Sequence, residues 1–354
     1  MRRGRSGRRC ALPGRLTVFF ALVLTGCATA PTAPLERAPD WVQGASAVYP
    51  PARFLTGVGF GDVRAAAENR AYAAIARVFE IEVQQRAHDW ESYLATDRGA
   101  APRSEHRLEI DQATTVSTRR VLESVSIGAV WRDERESGNY ALAVLDRRQS
   151  EAALRDRIAA LDRDLAGLRV RAAAGDNKLL RVRALRQAIA AFLLRDAYNT
   201  QLRIVNPEGT GAASLQGLAE LRQDLEAFLA RDFRVGAEVS GRDAERVRAA
   251  LLEGLTNAGL PVAQGGGADL VVRGSVELEP TAGPPQQRLV RWAARFDVVD
   301  TATGQVIGSV SRQGREGHLT EAEAEARALR RAQQDVVVEV SGKIAGFIYG
   351  EGSE

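Results

Sequence analysis

The spacing of apolar residues divides the chain into stretches of helical and of strand period. Nine apolar or small residues, Leu16 to Leu24, stand together near the start and are too few to span a bilayer. Between Pro39 and Asp146 the pattern predicts an α+β layer. RFLTGVG (Arg53 to Gly59) reads as a strand, and a helix follows over 63–78, led in by Asp62, with Ala67, Ala71, Ala74, Ile75 and Val78 on one face. Phe79, Ile81 and Val83 then alternate with Glu80, Glu82 and Gln84, which predicts a half-buried strand. A polar helix over 105–120 is next. Two strands, one with Val125, Ile127 and Val130-Trp131 and one running Tyr140 to Asp146, flank Glu136-Ser137-Gly138-Asn139.

From 147 to 203 the period changes. Leu154, Ile158, Leu161, Leu165 and Leu168 form a heptad seam, Ala174 to Asn177 a turn, and Leu185, Ile189 and Phe192 a second seam. This predicts an antiparallel helical hairpin, followed by an amphipathic helix from Leu215 to Ala230. The remainder reads β-α-β-β-β-α: a strand at 233–240, a helix at 243–258, and strands at 268–280, 288–300 and 305–314. A long helix then opens on a Thr320/Glu323 capping box, with Leu329, Ala332, Val336, Val340, Ile344 and Phe347 on one stripe. The predicted fold class is α+β, with two small sheet-plus-helix domains at 39–146 and 231–350. The helical hairpin and linker helix of 147–230 join them.

Composition changes this picture at the N-terminus. Six arginines and no acidic residue precede the apolar run, and Leu24-Thr25-Gly26-Cys27 follows it. That layout is a secretory leader over 1–26, and the motif resembles the bacterial lipobox, which predicts acylation of Cys27; the alternative is an ordinary signal peptide cut after Ala28-Thr29-Ala30, which would leave Pro31 at the new terminus. Residues 27–38 are small and proline-rich and read as a flexible tether. Without the leader, 42 basic residues face 45 acidic ones, so the formal charge moves from +3 to −3 and nucleic-acid binding is not expected. Cys10 leaves with the leader, so Cys27 is the only cysteine of the mature chain and no intramolecular disulfide is possible. The hairpin stretch 147–203 holds 13 basic and 6 acidic residues. It reads either as an arginine-rich solvated helix pair or as a basic arm for an acidic partner or anionic polymer.

Candidate chemistry is sparse. Gly57-Val58-Gly59-Phe60-Gly61 before a helix suggests a phosphate loop, but the spacing departs from G-x-G-x-x-G and no lysine follows. A strand-to-helix turn with positive φ is the expected use of these glycines. Gly265-Gly266-Gly267 reads as loop. His88, next to Asp89, is the nearest approach to an activated base, and His106 and His318 stand alone. No catalytic, cofactor-binding or metal-binding residue is predicted. Trp41, Trp90, Trp131 and Trp292 are expected as core anchors, with Trp41 also placed to present a binding face just after the tether.

Several short motifs carry a resemblance. Pro39-Asp40-Trp41-Val42, Tyr49-Pro50, the run Arg53 to Gly61, Trp131-Arg132-Asp133 and Tyr140 to Arg147 together resemble the LPP-twenty lipoprotein family over about 39–148. The stretches Ala268 to Val276 and Asp297 to Ile307 are similar, more loosely, to a module of envelope proteins. It occurs in the TolB amino-terminal domain, the curli secretion lipoprotein and the lipoprotein activators of penicillin-binding proteins. A flagellar assembly lipoprotein group pairs modules of both kinds. The resemblance implies an outer-membrane-anchored, periplasmic assembly or regulatory protein without catalytic residues, and Ala28 after the cysteine resembles outer-membrane sorting.

The expected function is therefore a non-catalytic binding module of the cell envelope. It would be held by membrane lipid through Cys27 and would engage a periplasmic protein partner or further copies of itself. The alternatives are an envelope-polymer binder using the basic hairpin, for peptidoglycan or lipopolysaccharide, and a cryptic hydrolase, which would need a concave pocket gathering carboxylates or His88.

Overall fold

Small residues dictate how the first layer packs. The computed structural model describes residues 37–350, apart from 97–103, 136, 175–176, 215–216, 242, 264–265 and 285, and apart from the side chains of 93–109. Strands β1 (Phe54–Gly61), β2 (Ser126–Asp133) and β3 (Gly138–Asp146) form an antiparallel sheet in the order β1-β3-β2. Helix α1 (Arg64–Thr96) lies against β1 and β3, and its inward residues Ala67 and Ala71 meet Gly57, Gly59 and Gly61. A Cβ at Gly57 would lie 2.7 Å from the Ala71 carbonyl oxygen, and one at Gly61 would lie 2.7 Å from the Ala67 nitrogen. None of these three glycines has positive φ. They are strand residues that let a helix approach at backbone distance, not the turn or phosphate loop that their spacing suggests.

The strand predicted at 79–83 is absent, because α1 runs straight through it. Ala67, Ala71, Ile75, Phe79, Val83 and Trp90 are all buried and recur at helical intervals. Ile81, the member that made the alternation look like a strand, is 56% exposed on the outer side. Helix α2 (Ser104–Leu122) packs on α1 before the chain enters β2.

Helices α3 (Arg147–Ala173) and α4 (Lys178–Val205) form the hairpin. Three cross-pairs establish the antiparallel register: Glu151 with Asn206, Arg157 with Tyr198, and Asp162 with Arg195. The Asp146 carboxylate caps α3 by accepting from the backbone N–H groups of Arg148 and Gln149, and Asn177 caps α4 through the N–H of Leu180. Both helices belong to both hydrophobic cores. Leu154, Ile158, Tyr198, Leu202 and Val205 join the core under the first sheet. Leu165, Leu168 and the α4 residues from Leu179 to Ala197 join the larger core under the second sheet. The hairpin is thus built into the body, which is one compact unit from Ala38 onward.

Helix α5 (Leu218–Asp232) packs on α4 and leads to the second sheet, ordered β4-β5-β6-β7. These strands are β4 (Val235–Ser240), β5 (Leu270–Thr281), β6 (Arg288–Asp300) and β7 (Val306–His318). The β4–β5 pair is parallel and the other pairs are antiparallel. Helix α6 (Ala244–Asn257), α7 (Glu321–Asp335) and α8 (Ser341–Tyr349) cover one face. Thr320 caps α7 as predicted, its hydroxyl accepting from the Glu323 N–H.

Between α7 and α8 the helix takes one π turn, Val336–Val340. Buried Ala332, Val336, Val340, Ile344 and Ile348 follow each other at strict intervals of four. Such spacing drifts around a 3.6-residue helix, and an added residue in one turn brings the stripe back to the core. The Ser341 hydroxyl donates to the Val336 carbonyl at 2.7 Å, partnering an acceptor in the altered turn. The stripe consequently ends on Ile348, whereas Phe347 is half-buried with its ring over Gly308.

The architecture is α+β, with two sheets that each carry helices on one face.

Candidate functional site

The one site residue read from the sequence, Cys27, lies outside the described residues. The other residues singled out are placed as follows. His88 is exposed on α1, and His318, at the end of β7, lies against the Glu323 carboxylate. His106 falls within α2. Gly266 and Gly267 lie in a loop before β5, with Gly267 at φ +91°. Among the described residues no cluster of His, Cys, Asp and Glu has the arrangement of a metal site, and no helix is long and apolar enough to cross a membrane.

A groove of about 410 Å³ runs between α1 and α4, lined by Glu82, Gln85, Arg86, Asp89, Thr200 and Arg203. It gathers two carboxylates, but His88 is not in its lining. Arg86 holds the buried Asp196 at 2.8 Å and approaches Asp89 at 3.7 Å. The indole N–H of Trp90 donates to the same Asp196 oxygen at 3.2 Å. The Asp196 carboxyl group is thus held by two donors from α1, tying that helix to α4. Sequence spacing gave no sign of it, because 106 residues separate Trp90 from Asp196.

The basic hairpin is largely engaged within the molecule. Arg147 donates to the carbonyls of Pro51, Ile204 and Val205, and Arg183 to those of Phe347 and Ile348, so both guanidinium groups sit at helix C-terminal carbonyls. Burial lowers the pKa of each from the ordinary arginine value. Arg195, 1% exposed, bonds the Asp162 carboxylate and the carbonyls of Ala212 and Ala213. Arg157, Arg181 and Arg186 lie over the rings of Tyr198, Phe228 and Tyr349. Arg155 pairs with Glu151, and Lys178 with Asp269. Arg148, Arg163, Arg169, Arg171 and Arg203 are the further exposed basic residues of the hairpin.

A different surface stands out on the first sheet. Residues of β1 and β3 alternate between the face under α1 and the opposite, outer face. Phe60, Tyr140 and Trp131 are direct cross-strand neighbours and form one row across all three strands. Ring centroids are 4.8 Å apart for Phe60 and Tyr140 and 5.6 Å apart for Trp131 and Tyr140. Gly138 makes room for the Phe60 ring. At the other end of this face, Tyr49 meets Phe54 edge-on at 5.2 Å, and its hydroxyl donates to the Gly128 carbonyl at 3.2 Å. A short 3-10 turn, Asp40–Gln43, carries Trp41 and lies against β3. All six aromatic residues are half-buried. Trp90 and Trp292, by contrast, are core anchors at 3% and 2% exposure.

The uncovered face of the second sheet is polar. One row crosses its four strands as Ser240, Ser275, Arg295 and Ser311. The neighbouring row neutralises itself through Arg273 with Glu238 and through Ser309 with Asp297.

No family model matches the chain, and no curated protein matches it. Among solved structures, the chain is similar to a secreted protein of Helicobacter pylori, at 13% identity over 82% of this chain and 97% of that one, with a TM-score of 0.43. It is also similar to a minor lipoprotein from Acinetobacter baumannii, at 17% identity over 32% of this chain and 92% of that one, with a TM-score of 0.27. Rare lipoprotein B from Shewanella oneidensis is similar at 13% identity over 31% of this chain and 89% of that one, with a TM-score of 0.22. These likenesses assign no activity, substrate or partner to this chain.

Proposed function

We propose that the protein is an outer-membrane-anchored periplasmic lipoprotein, acylated at Cys27, whose folded body is a non-catalytic assembly or regulatory module of the cell envelope. The observation that carries this reading is the order of elements at the N-terminus. An arginine-rich leader, a nine-residue apolar run, Leu24-Thr25-Gly26-Cys27 and a proline-rich stretch come before a compact unit that begins at Ala38. Multiple acyl chains on one cysteine give stable anchoring, because each buried CH₂ contributes about 0.8 kcal/mol. The resemblance of 39–148 to the LPP-twenty lipoproteins agrees with this reading. The partner on this proposal is a protein of a flagellar, secretion or wall-synthesis machine, or further copies of the chain.

Crosslinking in cells, followed by extraction and mass spectrometry, tests the module role, with Cys27→Ala as the control. One dominant protein partner, lost in the control, is the expected result. Recovery of glycan or lipid without a protein partner would contradict it. Light scattering of the purified chain separates the two forms of the proposal: a ring-sized oligomer supports assembly, and a monomer supports regulation.

A further inference from the structure

We infer that the outer aromatic face of the first sheet rests on the surface of the bilayer that holds the protein's own anchor. The inference builds on the Cys27 anchor proposed above. Tyr49, Phe54, Phe60, Trp131 and Tyr140 gather on one side of a three-stranded sheet, with Trp41 in the turn against its central strand, all half-buried, while α1 covers the other side. Such rings offer apolar area that suits the headgroup level of a membrane, while the Trp131 indole nitrogen and the Tyr49 hydroxyl are turned into the molecule.

The second support is where the chain enters. Trp41 lies fourteen residues after Cys27, and the turn that holds it lies against β3, the central strand of this sheet. Fourteen residues reach at most about 50 Å when fully extended, from 3.3–3.6 Å per residue. The anchor therefore supplies the bilayer to this face at high effective concentration. No such tie brings a soluble partner to it.

Charge points the same way by its balance. Arg53 stacks on Phe54 at 5.1 Å, and Arg132 and Arg135 stand at the Trp131 end. Asp40 precedes Trp41 in its turn, Asp62 follows β1, and Asp133 and Glu134 stand between the two arginines. Apposition then rests on aromatic area rather than on net charge, and raising the salt concentration leaves it unchanged.

The test uses the mature chain from Cys27 onward, coupled through that single cysteine to maleimide lipid in vesicles of phosphatidylethanolamine and phosphatidylglycerol. Chemical coupling replaces acylation, so the result stands whether or not cells acylate Cys27. The readout is tryptophan emission with and without brominated acyl chains. Trp90 and Trp292 are buried and provide an unquenched baseline. Brominated lipid is expected to remove about half of the emission, as two of the four tryptophans face the membrane. The conservative pair Trp41→Phe/Trp131→Phe, with its fold checked by circular dichroism, is expected to abolish the quenching.

Unquenched emission from the wild-type chain on brominated vesicles would overturn the proposal. So would equal quenching in the double variant, which would mean that the core tryptophans report instead. A stable dimer in solution whose tryptophans are unquenched on vesicles would assign the face to a second copy, and would also overturn it.

Discussion

Arg195 donates to both oxygens of Asp162, at 3.0 and 3.4 Å, across the α3–α4 hairpin. The same guanidinium holds the carbonyls of Ala212 and Ala213, so it locks the hairpin register and the segment after α4 together. Removing it leaves a carboxylate and two carbonyls without their donor; Arg195 itself is buried, while Asp162 keeps a third of its side chain exposed. Arg195→Ala is expected to cost about 1.5–3 kcal/mol, from its charge-assisted hydrogen bonds and the packing of its buried stem. Urea unfolding checks this: the midpoint falls while the slope is unchanged. A loss below about 1 kcal/mol, the range of an exposed pair, would contradict it.

Two glycine substitutions should have opposite signs. At Gly59 an added Cβ would collide with the Ala67 carbonyl and the Ala71 nitrogen of α1, both backbone atoms that cannot turn aside. Gly59→Ala is expected to cost about 3 kcal/mol or more, as overpacking against backbone does. Gly167, inside α3, has nothing nearer than the Arg171 side chain at 3.9 Å. Gly167→Ala is expected to gain up to about 1 kcal/mol from helix propensity. Thermal unfolding of the two variants reads both signs.

Asp146 links the first sheet to the hairpin. The Gln149 backbone N–H, helped by Arg53 and by the Arg148 N–H, holds its carboxyl below the usual carboxylate range despite the opposing effect of burial. A folded-state pKa below the unfolded one means that its stabilisation is present above the unfolded value of 3.8 and is lost as pH falls through the folded one. Asp146→Ala is expected to cost about 1 kcal/mol at neutral pH as a lost N-cap. The difference from wild type should narrow as the pH falls below 3.8. A gap that stays constant down to acid pH would contradict the assignment.

Changing Arg148, Arg163, Arg169, Arg171 and Arg203 to Gln removes most of the exposed positive charge of the hairpin, with Arg155 and Lys178 kept in their ion pairs, and leaves its internal contacts in place. Each change is expected to alter stability by no more than about 0.5 kcal/mol. Pull-down on peptidoglycan or lipopolysaccharide is expected to be weak, and equal for this variant and wild type. Strong, salt-sensitive binding that the variant loses would favour the polymer-binding alternative instead.

Much of the fold was legible in the sequence. The α6 boundaries, the Thr320 cap and the strand–helix order of 231–350 follow from period and capping residues, which are local signals. The strand expected at 79–83 failed because Phe79 and Val83 satisfy both periods over five residues. Only the continuation to Trp90 separates helix from strand. The Gly57-Gly59-Gly61 series was visible, but its cause was not, since the contact that requires it comes from Ala67 and Ala71 on a different element. The aromatic face was illegible for the same reason. Its six rings come from the turn at Asp40–Gln43, from Tyr49, and from three strands that only the register aligns. The hairpin's positive charge was countable, whereas its internal use depends on carbonyls of distant segments such as Phe347 and Ile348.

The central claim is that the mature chain begins at an acylated Cys27. Mass spectrometry of the N-terminal peptide from membrane-extracted protein tests it directly. The account predicts a peptide that starts at Cys27 and carries acyl chains on the cysteine. A peptide that starts at Pro31, or a Cys27 with a free thiol, would contradict it.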